Sequence, residues 1–115
     1  MKYLLMIYSD EKAYAAMSPD DAQRGYQAYM AYTEALKKAG VYVAGDRLQP
    51  TSTATTVRTS NGKTQVLNGP YTESKEQFGG YYIVESPDLD AALAWAARCP
   101  ATQYGVVEVR PFWQM

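Results

Sequence analysis

The chain opens on a bulky, nearly unbroken apolar run from Lys2 to Tyr8, the pattern of a strand buried on both faces rather than one alternating in and out of water. After a polar stretch, Ser18-Pro19-Asp20-Asp21 supplies an N-cap, a proline at the first helical position and carboxylates at the positive end of the helix dipole. Ala22, Tyr26, Tyr29, Thr33 and Leu36 then recur at alternating spacings of four and three as an inward stripe. Lys37-Lys38 before Gly40 predicts a helix end near Ala39.

Val41-Tyr42-Val43-Ala44 reads as a second strand, stopped by Gly45 and the Pro50 region. Thr53 to Thr59 and Lys63 to Leu67 flank Asn61-Gly62, a dipeptide that tolerates positive φ and so predicts a hairpin. Tyr81 to Glu85 is another strand. Ser86-Pro87-Asp88 repeats the earlier helix start, Leu89, Ala92, Leu93 and Ala96 make an apolar stripe, and Pro100 ends that helix before a last strand from Tyr104 to Arg110.

The order strand, helix, strand, hairpin, strand, helix, strand fits the split βαβ plan. It predicts an α+β, ferredoxin-like fold of the dimeric α+β barrel type, a mainly antiparallel sheet with two helices on one face, because right-handed crossovers place both helices on the same side. Leu4-Leu5-Met6-Ile7 and Val106-Val107 offer apolar side chains to both faces. The face without helices would then expose a large apolar patch, so a homodimer joined sheet to sheet is expected.

Composition narrows the function classes. With 115 residues, 47% of them apolar and 20% charged, the chain predicts one folded domain over residues 1–115. Net charge is -1 and the Lys and Arg residues are scattered, which argues against direct nucleic-acid binding. The opening apolar run is too short for a membrane span or signal core and Cys99 has no partner, so a cytoplasmic protein without a membrane partner is expected. There is no histidine and one cysteine, which removes His-dependent triads and zinc hydrolysis for a single chain; no metal and no cofactor are predicted.

The segment from Asn68 to Gly80 packs turn formers at both ends around a charged middle with room for a short helix. Together with Tyr81-Tyr82-Ile83-Val84-Glu85 it resembles the signature of the DGPF group of YCII-related proteins, and Glu108-Val109-Arg110-Pro111 resembles that group's closing motif. Gly45 to Pro50 and Cys99-Pro100 also fit, so the resemblance spans essentially the whole chain. It implies a dimeric ferredoxin-like domain of uncharacterised function, with some relatives encoded beside or fused to extracytoplasmic-function sigma factors. A more distant branch includes a dehydrochlorinase with a His and an Asp proposed as functional. Here the signature's leading Asp is Asn68, there is no histidine, and Cys99-Pro100 stands where that branch carries Asp-Pro, so its dyad is not in this sequence.

Among candidate residues, Lys75 and Glu76 could transfer protons, since a lysine beside carboxylates on a confined loop can have perturbed ionisation; a solvated charged loop is the plainer reading. Glu73 suits a helix start. Tyr8, Tyr82 and Tyr104 could line a pocket, though core or interface roles are commoner for strand tyrosines. Arg47 could orient a carboxylate, Arg110 could do the same or pair with Glu108, and Asn68 could donate and accept hydrogen bonds. Gly69, Pro70, Gly79 and Gly80 are read as structural loop residues, and Cys99 as a small buried one. The resulting expectation is a small-molecule-binding homodimer, catalytically silent or weak and suited to regulation, for an anionic or phenolic ligand held between the sheet and the 68–80 loop. One alternative is an isomerase or lyase on a small anionic substrate using Lys75 or Glu76. Another is an interaction module linked to a sigma factor.

Overall fold

Each main helix begins and ends on an identifiable cap. The computed structural model describes residues 1–114. Its strands are β1 (Lys2–Ser9), β2 (Tyr42–Arg47), β3 (Thr55–Ser60), β4 (Lys63–Asn68), β5 (Gln77–Glu85) and β6 (Val106–Pro111). The helices are α1 (Glu11–Ala15), α2 (Pro19–Lys38) and α3 (Leu89–Arg98), with 3₁₀ turns at Thr51–Thr53 and Pro100–Gln103.

Ser18 Oγ accepts from the Asp21 amide to start α2. At its far end Gly40 takes φ +75°, and the Gly40 and Val41 amides return to the Lys37 and Leu36 carbonyls in a Schellman closure. The start of α3 differs from the expected repeat: Asp88, not Ser86, is the cap, accepting from the Ala91 amide at 2.8 Å. Ser86 is buried and donates to the Asp88 carbonyl. Helix α1 falls in the stretch read as merely polar; at five residues it is too short to show a helical period.

Four strands form an antiparallel sheet in the order β2-β5-β1-β6, which is the ferredoxin-like arrangement. Both α2 and α3 cover one face. Tyr3, Leu5 and Ile7 of β1 and Tyr82 and Val84 of β5 pack there against Tyr32, Leu36, Ala92 and Ala96. The inward face of α2 includes Tyr32, 5% exposed, whereas Tyr26 of the expected stripe is 60% exposed. Tyrosines at 26, 29 and 32 satisfy helical spacing in more than one rotation, and an amphipathic ring is tolerated on either side. In α3 the small residues Ala92 and Ala96 approach the sheet, leaving Leu89 and Leu93 partly exposed.

Strands β3 and β4 pair only with each other, turning at Asn61 and Gly62 with φ +51° and +77°. This arm explains a radius of gyration of 16.1 Å, against about 13 Å for a compact chain of this length. No helix among the described residues is long and apolar enough to cross a membrane.

Candidate functional site

An irregularity in β5 decides where Phe78 points. Ile7 pairs with Gly80 and Tyr8 with Phe78, leaving Gly79 as an extra residue without a partner on β1. Such a bulge breaks the two-residue alternation of a strand. Phe78 therefore arrives beside Tyr8, with ring centroids 5.6 Å apart and planes at 45°. Tyr8 alternates with the buried Ile7, so the pair lies on the face that carries no helix. The 68–80 loop is correspondingly shorter than expected: Asn68 ends β4, Gln77 to Gly80 belong to β5, and the charged middle forms no helix. Gly80 pairs with Ile7 and Arg47, and the Gly79 carbonyl accepts from the Leu48 amide, partners that the turn-forming composition of the two glycines conceals.

Tyr8 and Phe78 floor a cleft of about 520 Å³, within the usual range for small-ligand sites. One wall is the segment from Leu48 to Ala54, and the other runs from Pro70 to Gln77. Glu11, the first residue of α1, ties these walls together. Its Oε1 accepts from the Thr51 amide at 2.9 Å and its Oε2 from Thr51 Oγ1 at 2.8 Å. Its own backbone amide donates to Gln77 Oε1 at 2.9 Å, and Gln77 Nε2 donates to the Ser74 carbonyl at 2.6 Å. The Leu48 amide donates to the Gly79 carbonyl at the bulge, and the Gly69 amide to the Ala54 carbonyl. The cleft is built from backbone and clamped side chains.

Of the residues proposed from sequence, Tyr8, Pro70 and Glu76 line this cleft. Glu76 is half-buried and is the charged residue of the lining. Lys75 is exposed and outside the lining, and the Arg47 guanidinium stands 4.7 Å above the Tyr14 ring of α1. Asn68 pairs with Thr55 at the base of the arm, and Gly69, with φ +104°, makes the exit from β4. Arg110 faces Leu4 in the register of β6.

Tyr82 lies on the opposite side of the sheet. Its ring occupies the space over Gly45, where a Cβ would stand 2.7 Å from Cδ1, and its hydroxyl is 2.8 Å from Thr33 Oγ1. The Tyr32 ring meets it edge-on at 5.2 Å. Tyr104 is on this helix side as well, donating to the Tyr29 hydroxyl at 3.1 Å. Burial pushes the Tyr29, Tyr32 and Tyr82 phenols up, as it does the thiol of Cys99, so these groups stay protonated at neutral pH.

Sequence reasoning missed Glu11, Thr51, Gln77 and Phe78. The clamp joins segments forty and sixty-six residues apart, and the bulge depends on register. The turn-rich composition of the two walls is the trace the sequence carries of them.

The family pattern described as YCII-related domain matches residues 1–115. An uncharacterized protein, R00369, of Rhizobium meliloti (strain 1021) is 36% identical over 115 residues, covering 96% of this chain and 91% of its own. Among solved structures, the 5-chloro-2-hydroxyhydroquinone dehydrochlorinase TftG from Burkholderia phenoliruptrix AC1100 aligns with a TM-score of 0.53 and 19% identity, over 100% of this chain and 96% of its own. At that identity the likeness is one of fold.

Proposed function

The chain belongs to the YCII-related domain family, and on that premise we propose that it is a cytoplasmic, small-molecule-binding homodimer whose ligand lies in the cleft over Tyr8 and Phe78. The observation that carries this reading is the bulge at Gly79, which spends backbone regularity to set two aromatic rings side by side on an open face. Aromatic floors with a few polar groups above them suit small planar ligands. The solved dehydrochlorinase of the same fold was captured with 2,5-dihydroxybenzoquinone, a ligand of that shape.

The homodimer follows from the same face. Leu4, Met6 and Ile83 alternate with core residues and point away from the helices, and Val106 is 50% exposed beside them. A second copy laid sheet to sheet removes this patch from water and roofs the cleft.

A second reading is favoured by Glu76 in the lining: an isomerase or lyase in which its carboxylate moves a proton on the bound ring. The dehydrochlorinase is an enzyme of comparable type. A link to a sigma factor stands on the family resemblance.

Thermal-shift measurements with a panel of small phenols and carboxylates test the binding reading. A true ligand raises the melting temperature by mass action, with about 2.7 kcal/mol of stabilisation at a hundred times its dissociation constant. The effect should vanish in Ser74→Trp, whose indole fills the cleft. Equal stabilisation of that variant, or none of the wild type by any compound, contradicts it.

A further inference from the structure

We propose that the cleft selects a neutral aromatic ligand with hydroxyl donors, of the hydroquinone or catechol type, and rejects aromatic carboxylates of the same size. This rests on the reading that the cleft over Tyr8 and Phe78 is a binding site.

The charge around the cleft has one sign. Glu76 is half-buried in the lining, and among the described residues no lysine or arginine lines it. A second carboxylate, Glu11, stands directly behind Thr51 on the opposite wall. The two cations adjacent in sequence are turned elsewhere. Arg47 precedes Leu48 of the wall but lies over Tyr14, and Lys75 precedes Glu76 but remains outside the lining. A carboxylate ligand would enter this negative field without a counter-charge, in a partly enclosed space where screening is weaker than in bulk water.

Among the polar groups of the lining, Glu76 is the one that discriminates. Thr51 Oγ1 donates to Glu11 and Thr53 Oγ1 to the Pro50 carbonyl, whereas Ser74 Oγ accepts from the Glu76 amide and keeps its own O–H free. The Glu76 carboxylate, in contrast, has no protein donor among the described residues, and an ionised carboxylate can only accept. Gln49, Thr72, Ser74 and the Tyr8 hydroxyl can each donate as well as accept and so serve either kind of ligand, and the acceptor-only Glu76 carboxylate is the group that demands a donor from it. A phenolic hydroxyl meets that demand and leaves its ring free to lie on Tyr8 and Phe78. A benzoate would oppose acceptor to acceptor.

Amide-resolved NMR titrations of the full chain at pH 7 with hydroquinone and with 4-hydroxybenzoate test the proposal. Hydroquinone should shift the amides from Ser74 to Phe78, at a concentration at least about tenfold lower than 4-hydroxybenzoate needs, the scale of one like-charge contact at reduced dielectric. In Glu76→Gln the gap should close to within about threefold by a gain for the benzoate, whereas Arg47→Ala should leave it unchanged. The wild-type discrimination should also shrink between about 50 mM and 1 M salt, a readout that holds even if Glu76→Gln folds poorly. Equal or tighter action of 4-hydroxybenzoate on the same amides overturns the charge selection while leaving the cleft as a site. If neither compound moves those amides, the cleft reading falls and this proposal falls with it.

Discussion

Glu11 grips Thr51 with both carboxylate oxygens, one on the backbone amide at 2.9 Å and one on the hydroxyl at 2.8 Å. Two charge-assisted bonds to one residue fix its position better than either alone. Because the Glu11 backbone amide also donates to Gln77, one residue bridges the two walls of the cleft, its carboxylate holding the Thr51 side of the clamp. Glu11→Ala is expected to lower stability by about 1–3 kcal/mol and to weaken ligand binding. Urea midpoints and a phenol titration of the variant check this. An unchanged midpoint would mean that the clamp is ornamental.

Tyr82 supplies the contrast. It lies on the helix side, sharing a hydrogen bond with Thr33 and an edge contact with Tyr32. Tyr82→Phe should cost about 1 kcal/mol of stability and leave ligand binding as it was. Loss of binding in this variant would place the ligand on the wrong face.

The buried phenols make stability depend on alkaline pH. Desolvation raises the Tyr29 and Tyr32 pKa values in the folded state, with the Tyr104 hydrogen bond adding to Tyr29, while the unfolded chain has the ordinary value near about 10. Below that pH both states keep the protons and the contribution to stability is whole. Above it the unfolded state releases protons that the folded state retains, so stability falls as pH rises. Urea midpoints measured from pH 8 to about 11 should decline beyond about 10, and ultraviolet titration should find a class of tyrosines that ionise only on unfolding. A flat profile would mean that these rings are wet.

Ile83 pairs with Leu4 and Ala44 on the face without helices. Ile83→Asp should leave the fold intact and convert the proposed dimer to a monomer, because a charge there loses water on association without gaining a partner. Light scattering at micromolar concentration reads the result. A wild type that is already monomeric contradicts the sheet-to-sheet arrangement.

The periodic parts of this fold were legible in the sequence, and the site was legible only in fragments. The Ser18-Pro19 cap, the Gly40 stop and the Asn61-Gly62 turn are local devices, and each appears where its chemistry predicts. The α+β ferredoxin-like architecture follows from their order. Phe78, Gln77 and Glu11 were hidden because their roles arise from register and from contacts across the chain. Gly80 was read as a loop residue for the same reason: a glycine beside another looks like a loop until neighbouring strands claim it, as Ile7 and Arg47 do here. Tyr8 and Tyr82 look alike in sequence, both tyrosines on predicted strands, yet the two-residue alternation of the sheet sends them to opposite faces.

The face of the sheet on which a ligand's ring lies separates binding over Tyr8 and Phe78 from binding among the helix-side tyrosines. Intermolecular NOEs between bound hydroquinone and aromatic side-chain protons measure it. The cleft reading predicts contacts to the Tyr8 and Phe78 rings and none to Tyr82, Tyr29 or Tyr32. Contacts to those helix-side tyrosines, or binding without any contact to Tyr8 and Phe78, would contradict it.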